Sequence, residues 1–526
     1  MANIWQKDIN NHRDILFILH DQLNLQVFPP SILQRRPLIV LVESFAYASF
    51  LAHHQMKLAF IWSCQRHFAL ELEQQGYDVL TLSTKGWHSE GIKQIMTDYS
   101  HLSLFYMEPN EWQTREQMKE LKSLFPDRVF SFSNNFFLTD VKQYVSKINK
   151  NYRLESFYRD LRKQTGYLMA EGKPIGGKWN YDKDNRKALP KKITIPAVTK
   201  FTPDTITETV ITEIKANFAH HFGKLDQFPW AVNRQQALQL AREFMIERLP
   251  YFGAYEDAIK TDEPFLFHSV LSPYLNNGLL LPAELCQMAI ESYKNGQAPL
   301  NSVEGFIRQI IGWREYIRVY YEAMMPDVRE SNHFGFTLNL PQLFWDGKTE
   351  LKCLADAIKN VIELGYSHHI QRLMVLSNFS NLTMTNPIEL SHWFWLAYID
   401  AYEWVELPNV LGMSTYADGG ILASKPYISG GNYIHKMSNC CSQCHYDVKQ
   451  KTGKNACPFN YLYWHFIDRY RQDFKENGRV SLMVQMFDKK TDSEKEEIAR
   501  SARDFIEKIP RYSSVLPQQD ISKANF

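Results

Sequence analysis

Seven cysteines occur in this chain of 526 residues, and the spacing of four of them is the clearest chemical signal. Two residues separate Cys441 from Cys444, so one short turn can face both sulfurs toward the same metal. Cys457 follows after 12 intervening residues and precedes Pro458, a Cys-Pro step of the kind found in iron–sulfur sites. Cys353, on a segment of helical periodicity, completes a set of four. Cys440 adjoins Cys441, and spacing does not exclude an exchange of roles. Four thiolates suit an iron–sulfur cluster or a structural zinc ion equally well, so both stay open at this point. Cys64 and Cys286 fall on apolar helix faces and read as core residues.

Other segments carry polar residues that a core alone would not need. In His268-Ser269-Val270-Leu271-Ser272-Pro273, two hydroxyls precede a proline-initiated helix. Hydroxyls and free amides at such a helix start bind a diphosphate, or they simply cap the helix. Trp313-Arg314-Glu315-Tyr316 sets an Arg–Glu pair among aromatics, and Asp400 is followed closely by Glu406 and Asn409. His368 and His369 stand just before Arg372. A histidine titrating near neutral pH suits proton transfer, and a hydrogen-bonded core pair is the plainer reading. Trp393 lies two helical turns before Asp400, so both can face one site.

The elements that position these residues are of two kinds. Up to residue 140, the apolar runs Asp14–Leu19, Pro37–Val42, Tyr77–Leu82, His101–Tyr106 and Arg128–Phe132 read as strands. The amphipathic stretches Met56–Gln75 and Glu111–Leu124 read as helices, and this alternation predicts a Rossmann-like parallel α/β sheet. Residues 141–230 lose regularity and read as an interdomain linker packed across the surface. Residues 231–526 read as an all-α domain, with helices over Asn233–Arg248, Pro282–Lys294, Ser302–Met324, Leu351–Leu364, Ile370–Leu382, Pro387–Ala401 and Phe459–Glu476.

Composition narrows the class. A hydrophobic fraction of 44% supports a large core, and 14% aromatics leave some rings free for a planar cofactor or an electron relay. A net charge of +1 decides nothing about nucleic acid, so a DNA-binding face must come from local charge. Arg186, Lys187, Lys191 and Lys192, close to Lys178 and Lys183, form one such run; a solvated loop is the alternative. No apolar signal core opens the chain and no run is long enough for a membrane helix, so a soluble cytoplasmic protein is expected. There cysteines stay reduced, which disfavours disulfides.

Taken in order, the runs 271–278 (LSPYLNNG), 313–316 (WREY), 368–378 (HHIQRLMVLSN) and 398–413 (YIDAYEWVELPNVLGM) resemble the flavin-binding helical domain of photolyases and cryptochromes. Phe17–Leu23 (FILHDQL), His53-His54 with Lys57, and Arg66-His67-Phe68 resemble the antenna domain of the bacterial iron–sulfur branch, whose repairing members act on (6-4) photoproducts. The resemblance covers nearly the whole chain. It implies a 4Fe–4S cluster on Cys353, Cys441, Cys444 and Cys457, with FAD in the helical domain. It also implies a 6,7-dimethyl-8-ribityllumazine antenna in the first domain, held by residues including Asp21, Gln22, Glu43 and Lys57.

By the same resemblance His268, Ser269, Leu271 and Ser272 hold the FAD phosphates and ribityl chain, and Arg372, Asp400 and Asn409 contact its ring. Glu406 faces the flavin N5, where classical photolyases usually carry Asn. His369 is the acid for repair, His368 supports it, and Trp393, Trp345 and Tyr433 are stations for electron transfer. Contact with UV-damaged DNA falls on Tyr181, Asp182, Asp257 or Trp313, with Mg2+ bridging the two aspartates to phosphate. The implied protein is a monomeric, light-driven (6-4) lyase. A blue-light receptor with the same cofactors is the alternative, and a zinc-stabilised nucleic-acid-binding protein is a third.

Overall fold

The structure is a computed structural model, and it describes residues 9–513. Its first part is a five-stranded parallel sheet: β1 (Asp14–Phe17), β2 (Leu38–Ser44), β3 (Val79–Thr84), β4 (Ser103–Met107) and β5 (Val129–Phe132), in the order β3-β2-β1-β4-β5. Ile15 is in register with Leu38 on one side and Leu104 on the other. Every residue of β2 is buried, which explains its unbroken apolar run: helices cover both faces of the sheet. Those helices are α1 (Gln55–Gln74), α2 (His88–Asp98) and α3 (Trp112–Leu124). The strand order reverses at β1, the kind of switch point at which open α/β sheets bind ligands beyond the carboxyl ends of their strands. His20, Asp21 and Gln22 follow β1 there, and Asn110 and Glu111 follow β4.

The stretch 141–230 holds two helices that the sequence pattern hid, α4 (Leu154–Thr165) and α5 (Thr205–Asn217). The side chain of Asp204 caps α5 at Thr207 N and meets His67 Nε2 at 2.7 Å, while Arg66 pairs with Glu213. These bonds lay α5 against α1. Between the two helices the chain has little regular structure, so its backbone needs other partners. Buried Arg162 supplies several, donating to the carbonyls of Trp179 at 2.9 Å and Leu168 at 2.6 Å.

Beyond residue 230 the fold is helical, as the periodicity predicts, but several helices are not continuous. π-helical turns occur at Phe244–Arg248, Arg308–Arg314, Gln371–Ser377 and Pro408–Ser414. The helix from Pro387 ends at Ala397 rather than continuing to residue 401, because Tyr398 is extended (φ −109°, ψ 138°). That early stop frees Asp400 from a helix face. The helix begun at Pro458 breaks at Tyr470. Among the described residues no helix is long and apolar enough to cross a membrane.

The two parts are joined by hydrogen bonds as well as by apolar packing. Leu23 N donates to Asn277 O at 2.9 Å, and Asn24 Nδ2 to Gly278 O at 3.1 Å. Gly278 has φ +92°, and a Cβ there would lie 2.5 Å from the Phe136 ring and 2.9 Å from Leu23 N. Neither the backbone nor the space admits a side chain. Gly278→Ala is therefore expected to lower the unfolding free energy by about 2–3 kcal/mol, read by urea denaturation.

Candidate functional site

A cavity of about 290 Å³ opens in the helical part. Its walls draw on three of the π-helical turns, which contribute Trp313, Arg314, Arg372, Asn409 and Met413 among others. At its base Arg372 Nη2 lies 3.0 Å from Asp400 Oδ2, and Ser272 Oγ donates to the same oxygen at 2.6 Å. Asn276 Nδ2 holds the Asp400 carbonyl at 2.8 Å, and Arg372 Nε donates to Ser367 O. The Arg372 guanidinium also sits 4.0 Å over the Tyr398 ring. Asn409 accepts from Trp313 Nε1 at 2.9 Å, which fixes its amide. Glu406 lines the cavity, and burial raises its carboxyl to about 7 against the pull of Arg372.

Three histidines meet at one end. His268 and His368 stack at 4.6 Å, and His369 stands edge-on to His268 at 5.2 Å. Burial holds His268 and His368 well below the ordinary imidazole range, so both are neutral. His369 differs: its side chain is 49% exposed, it lines the cavity, and its Nε2 lies 3.8 Å from Asp257 Oδ1. Tyr433 turns its hydroxyl to Asp257 as well. Asp182 is held by Arg186, with Arg308 at 3.7 Å. Both aspartates thus have cationic or hydrogen-bonding partners within the protein.

A second polar layer is buried beyond the carboxyl ends of β1 and β4. Lys57 is wholly buried and donates to Trp395 O at 2.7 Å; His53 Nδ1 is 3.4 Å away. Burial pushes its ammonium down, while Glu111, Glu406 and Asp400 pull the other way. Burial also raises Glu111, helped by Asp21 and Glu403. Asp21 rises to about 6 by burial, although Asn110 donates to it at 2.8 Å. Asp21 Oδ1, Gln22 Oε1, Tyr47 Oη and His53 Nε2 are buried with no partner. Glu43 lies apart from this layer, with Arg66 on both its oxygens (2.7 and 3.0 Å) and Ser83 donating at 3.1 Å.

The cysteines gather as the spacing suggests. Cys353, in the first turn of Lys352–Leu364, lines one small hollow together with Cys440, Cys441, Cys444 and Cys457, which caps the helix at Pro458. Burial raises the Cys353 thiol well above its usual range, and the other four sulfurs add to it. Cys440 has a protein partner, since Thr261 Oγ1 donates to its sulfur at 3.7 Å. Among the described residues, no three His, Cys, Asp or Glu side chains are arranged to hold a single metal ion.

Comparison with known proteins now fixes the family. A family model described as "Deoxyribodipyrimidine photo-lyase-related protein" matches residues 16–230. The (6-4) photolyase of Agrobacterium fabrum is 40% identical over 503 residues, covering 94% of this chain and 99% of that protein. The chain belongs to the photolyase/cryptochrome superfamily. Two solved structures share its fold. One is a bacterial class III photolyase from Agrobacterium tumefaciens (TM-score 0.56, 14% identity, 94% of this chain and 98% of that one). The other is a Synechocystis cryptochrome (TM-score 0.58, 12% identity, with the same coverage).

In this superfamily member the cavity brings together His268, Ser269, Ser272, His369, Arg372, Asp400, Glu406 and Asn409, all of them marked by their sequence motifs. Leu271 and His368 are buried behind the wall. Sequence reasoning missed Glu256, whose buried carboxyl lines the cavity and is raised to about 7, and Arg248, fully buried with Nε on His268 O at 3.2 Å. Neither carries a motif; an arginine before Leu249-Pro250 is an ordinary helix residue by pattern. Removing one partner of a buried ion pair leaves the other charge uncompensated. Arg372→Ala should therefore lower the unfolding free energy by about 3 kcal/mol, with part regained on adding Asp400→Asn, as denaturant melts would measure.

Proposed function

We propose that this chain is a light-dependent DNA lyase that repairs (6-4) pyrimidine–pyrimidone photoproducts in UV-damaged DNA, with FAD as its working cofactor. The observation that carries the reading is His369, half-exposed at a cavity based on a buried Arg–Asp pair and set beside a carboxylate. Repair of such a lesion needs a proton and an electron at one place, and a histidine between solvent and a cofactor cavity suits the first. Near-full-length similarity to a protein named (6-4) photolyase supports the same reading.

The chemistry of the walls fits FAD. Asp400 Oδ1 lines the cavity and is buried without a protein partner, leaving an acceptor for a polar ring edge. Ser269, Leu271 and Ser272, with His268, would hold the phosphates and ribityl chain. Arg372 and Asp400 would orient the ring, with Asn409 near its edge. Reduced FAD, when bound, supplies on illumination the electron that opens the lesion. Glu406, with its carboxyl raised to about 7, can hold or release a proton beside the ring near neutral pH. His268 and His368 stay neutral and brace His369, which hands its proton to the lesion.

Two further groups fit the residues present. The unpartnered atoms of Asp21, Gln22, Tyr47 and His53, with Lys57, suit a small polar heterocycle such as 6,7-dimethyl-8-ribityllumazine. Glu43 would join it through the acceptor capacity that Arg66 and Ser83 leave on its carboxylate. Cys353, Cys441, Cys444 and Cys457 suit a 4Fe–4S cluster. A single zinc ion needs four sulfurs about 2.3 Å from one point, whereas thiols set around a shared apolar hollow suit a polynuclear group.

His369→Ala should cut light-driven repair of a (6-4) oligonucleotide by roughly a hundredfold or more while FAD stays bound. Full repair by that variant would move the acid elsewhere, and no repair by the parent protein would favour a receptor. Cys353→Ser should lose iron and brown colour, whereas Cys440→Ser, outside the proposed ligand set, should keep both. The reverse pattern in iron analysis would exchange the two ligands.

A further inference from the structure

The aromatic rings behind the cavity lead outward to a residue that no sequence motif marks. Trp393 is fully buried, 5.9 Å from Tyr398, whose ring lies beneath Arg372 at the cavity. Phe222 bridges the next step: its ring is 6.3 Å from Trp393 and 5.5 Å from Trp345. Trp345 in turn is stacked on Tyr512, with centroids 4.5 Å apart and planes at 29°. Tyr512 is partly exposed. Its segment is pinned in place: Tyr512 N donates to Leu340 O at 2.9 Å, and Arg511 donates to Asn339 O at 2.7 Å and Thr383 O at 3.1 Å.

The proton chemistry of this row is graded. The indole N–H groups of Trp393 and Trp345 are both buried with no hydrogen-bond partner. An indole that loses an electron there has no base to take its proton, so it stays a radical cation and a strong oxidant. A phenol gives up an electron readily only when its proton leaves at the same time, and water can take that proton at a partly exposed ring. A hole moving outward along this row would stop where a proton can depart.

We propose that Tyr512 is the outermost station of this relay. Trp393 yields an electron to the excited flavin and regains one from Trp345. The Trp345 radical cation then takes one electron from Tyr512, whose phenolic proton passes to water, leaving neutral Trp345 and a neutral tyrosyl radical. A small-molecule thiol outside the protein restores Tyr512 by giving it one hydrogen atom and becoming a thiyl radical. This inference rests on the reading that FAD fills the cavity and is photoreduced through Trp393 and Trp345.

Tyr512→Phe separates this role from packing, because the ring and its stacking remain while the removable proton is lost. The flavin-loaded full-length protein would be flashed with blue light in the presence of a thiol, and followed by transient absorption and electron paramagnetic resonance. The parent protein should show a tyrosyl radical whose formation slows in D2O. The Phe variant should lack that signal, hold a tryptophan radical that recombines faster, and photoreduce several-fold more slowly. An unchanged tyrosyl signal in Tyr512→Phe, with slow photoreduction in Trp345→Phe, would overturn the role of Tyr512 alone. Unchanged photoreduction in both Trp345→Phe and Trp393→Phe would overturn the relay on which it rests.

Discussion

Asp400 has a side chain only 6% exposed and stands between the Arg372 guanidinium at 3.0 Å and the Ser272 hydroxyl at 2.6 Å, so one carboxylate ties three segments distant in sequence. Taking two charges out of water costs several kcal/mol each, and such a pair persists only when its remaining polar atoms are also bonded. Most of them are: Ser367 O takes Arg372 Nε, and Asn276 holds the backbone of Asp400. The exception is Asp400 Oδ1, which no protein group reaches. A fold that satisfies all but one acceptor of a buried pair at the base of a cavity has left that acceptor for a ligand.

The same constraint explains the shape of the helices around it. A π-helical turn inserts one residue into an α-helix and rotates the next turns about the axis, so residues on either side can share a face that regular spacing would separate. Arg314, Arg372 and Asn409 each lie in such a turn, and each lines the cavity. Hydrophobic periodicity averages over three or more turns and passes across a single inserted residue, so 302–324 and 370–382 read as uninterrupted helices. The early stop after Ala397 escaped notice for a related reason. Tyr398-Ile399-Asp400-Ala401 carries no glycine or proline to mark the end of the helix.

What was legible in the sequence was whatever chemistry or burial imposes on residue type. Strands covered on both faces must be apolar throughout, and the five strand runs lie within a few residues of the observed ones. Cysteines that share a hollow had to be cysteines, and their spacing brought them together. Pairing was not legible. Glu43 follows the apolar core of β2 and could as well have faced a ligand; that it meets Arg66 depends on how α1 crosses the sheet. The helix Thr205–Asn217 was hidden because β-branched Thr, Ile and Val dominate its first half and weaken a helical signal. Arg248 and Glu256 become conspicuous only when burial leaves their polar atoms unpaired.

Burial also decides how the two polar layers are related. Lys57 is pushed toward its neutral form and Glu111 toward its protonated form by the same desolvation, while each favours the charged form of the other. A proton passing from Glu111 to Lys57 creates a pair of opposite charges without changing the net charge of the layer. The layer can thus hold its one mobile proton in either place without importing an ion. Lys57 feels Glu406 and Asp400 as well, so its charge state is also part of the field at the cavity. A lysine donating to a backbone carbonyl between the two layers makes them one electrostatic unit, although one is built by the sheet and the other by the helices.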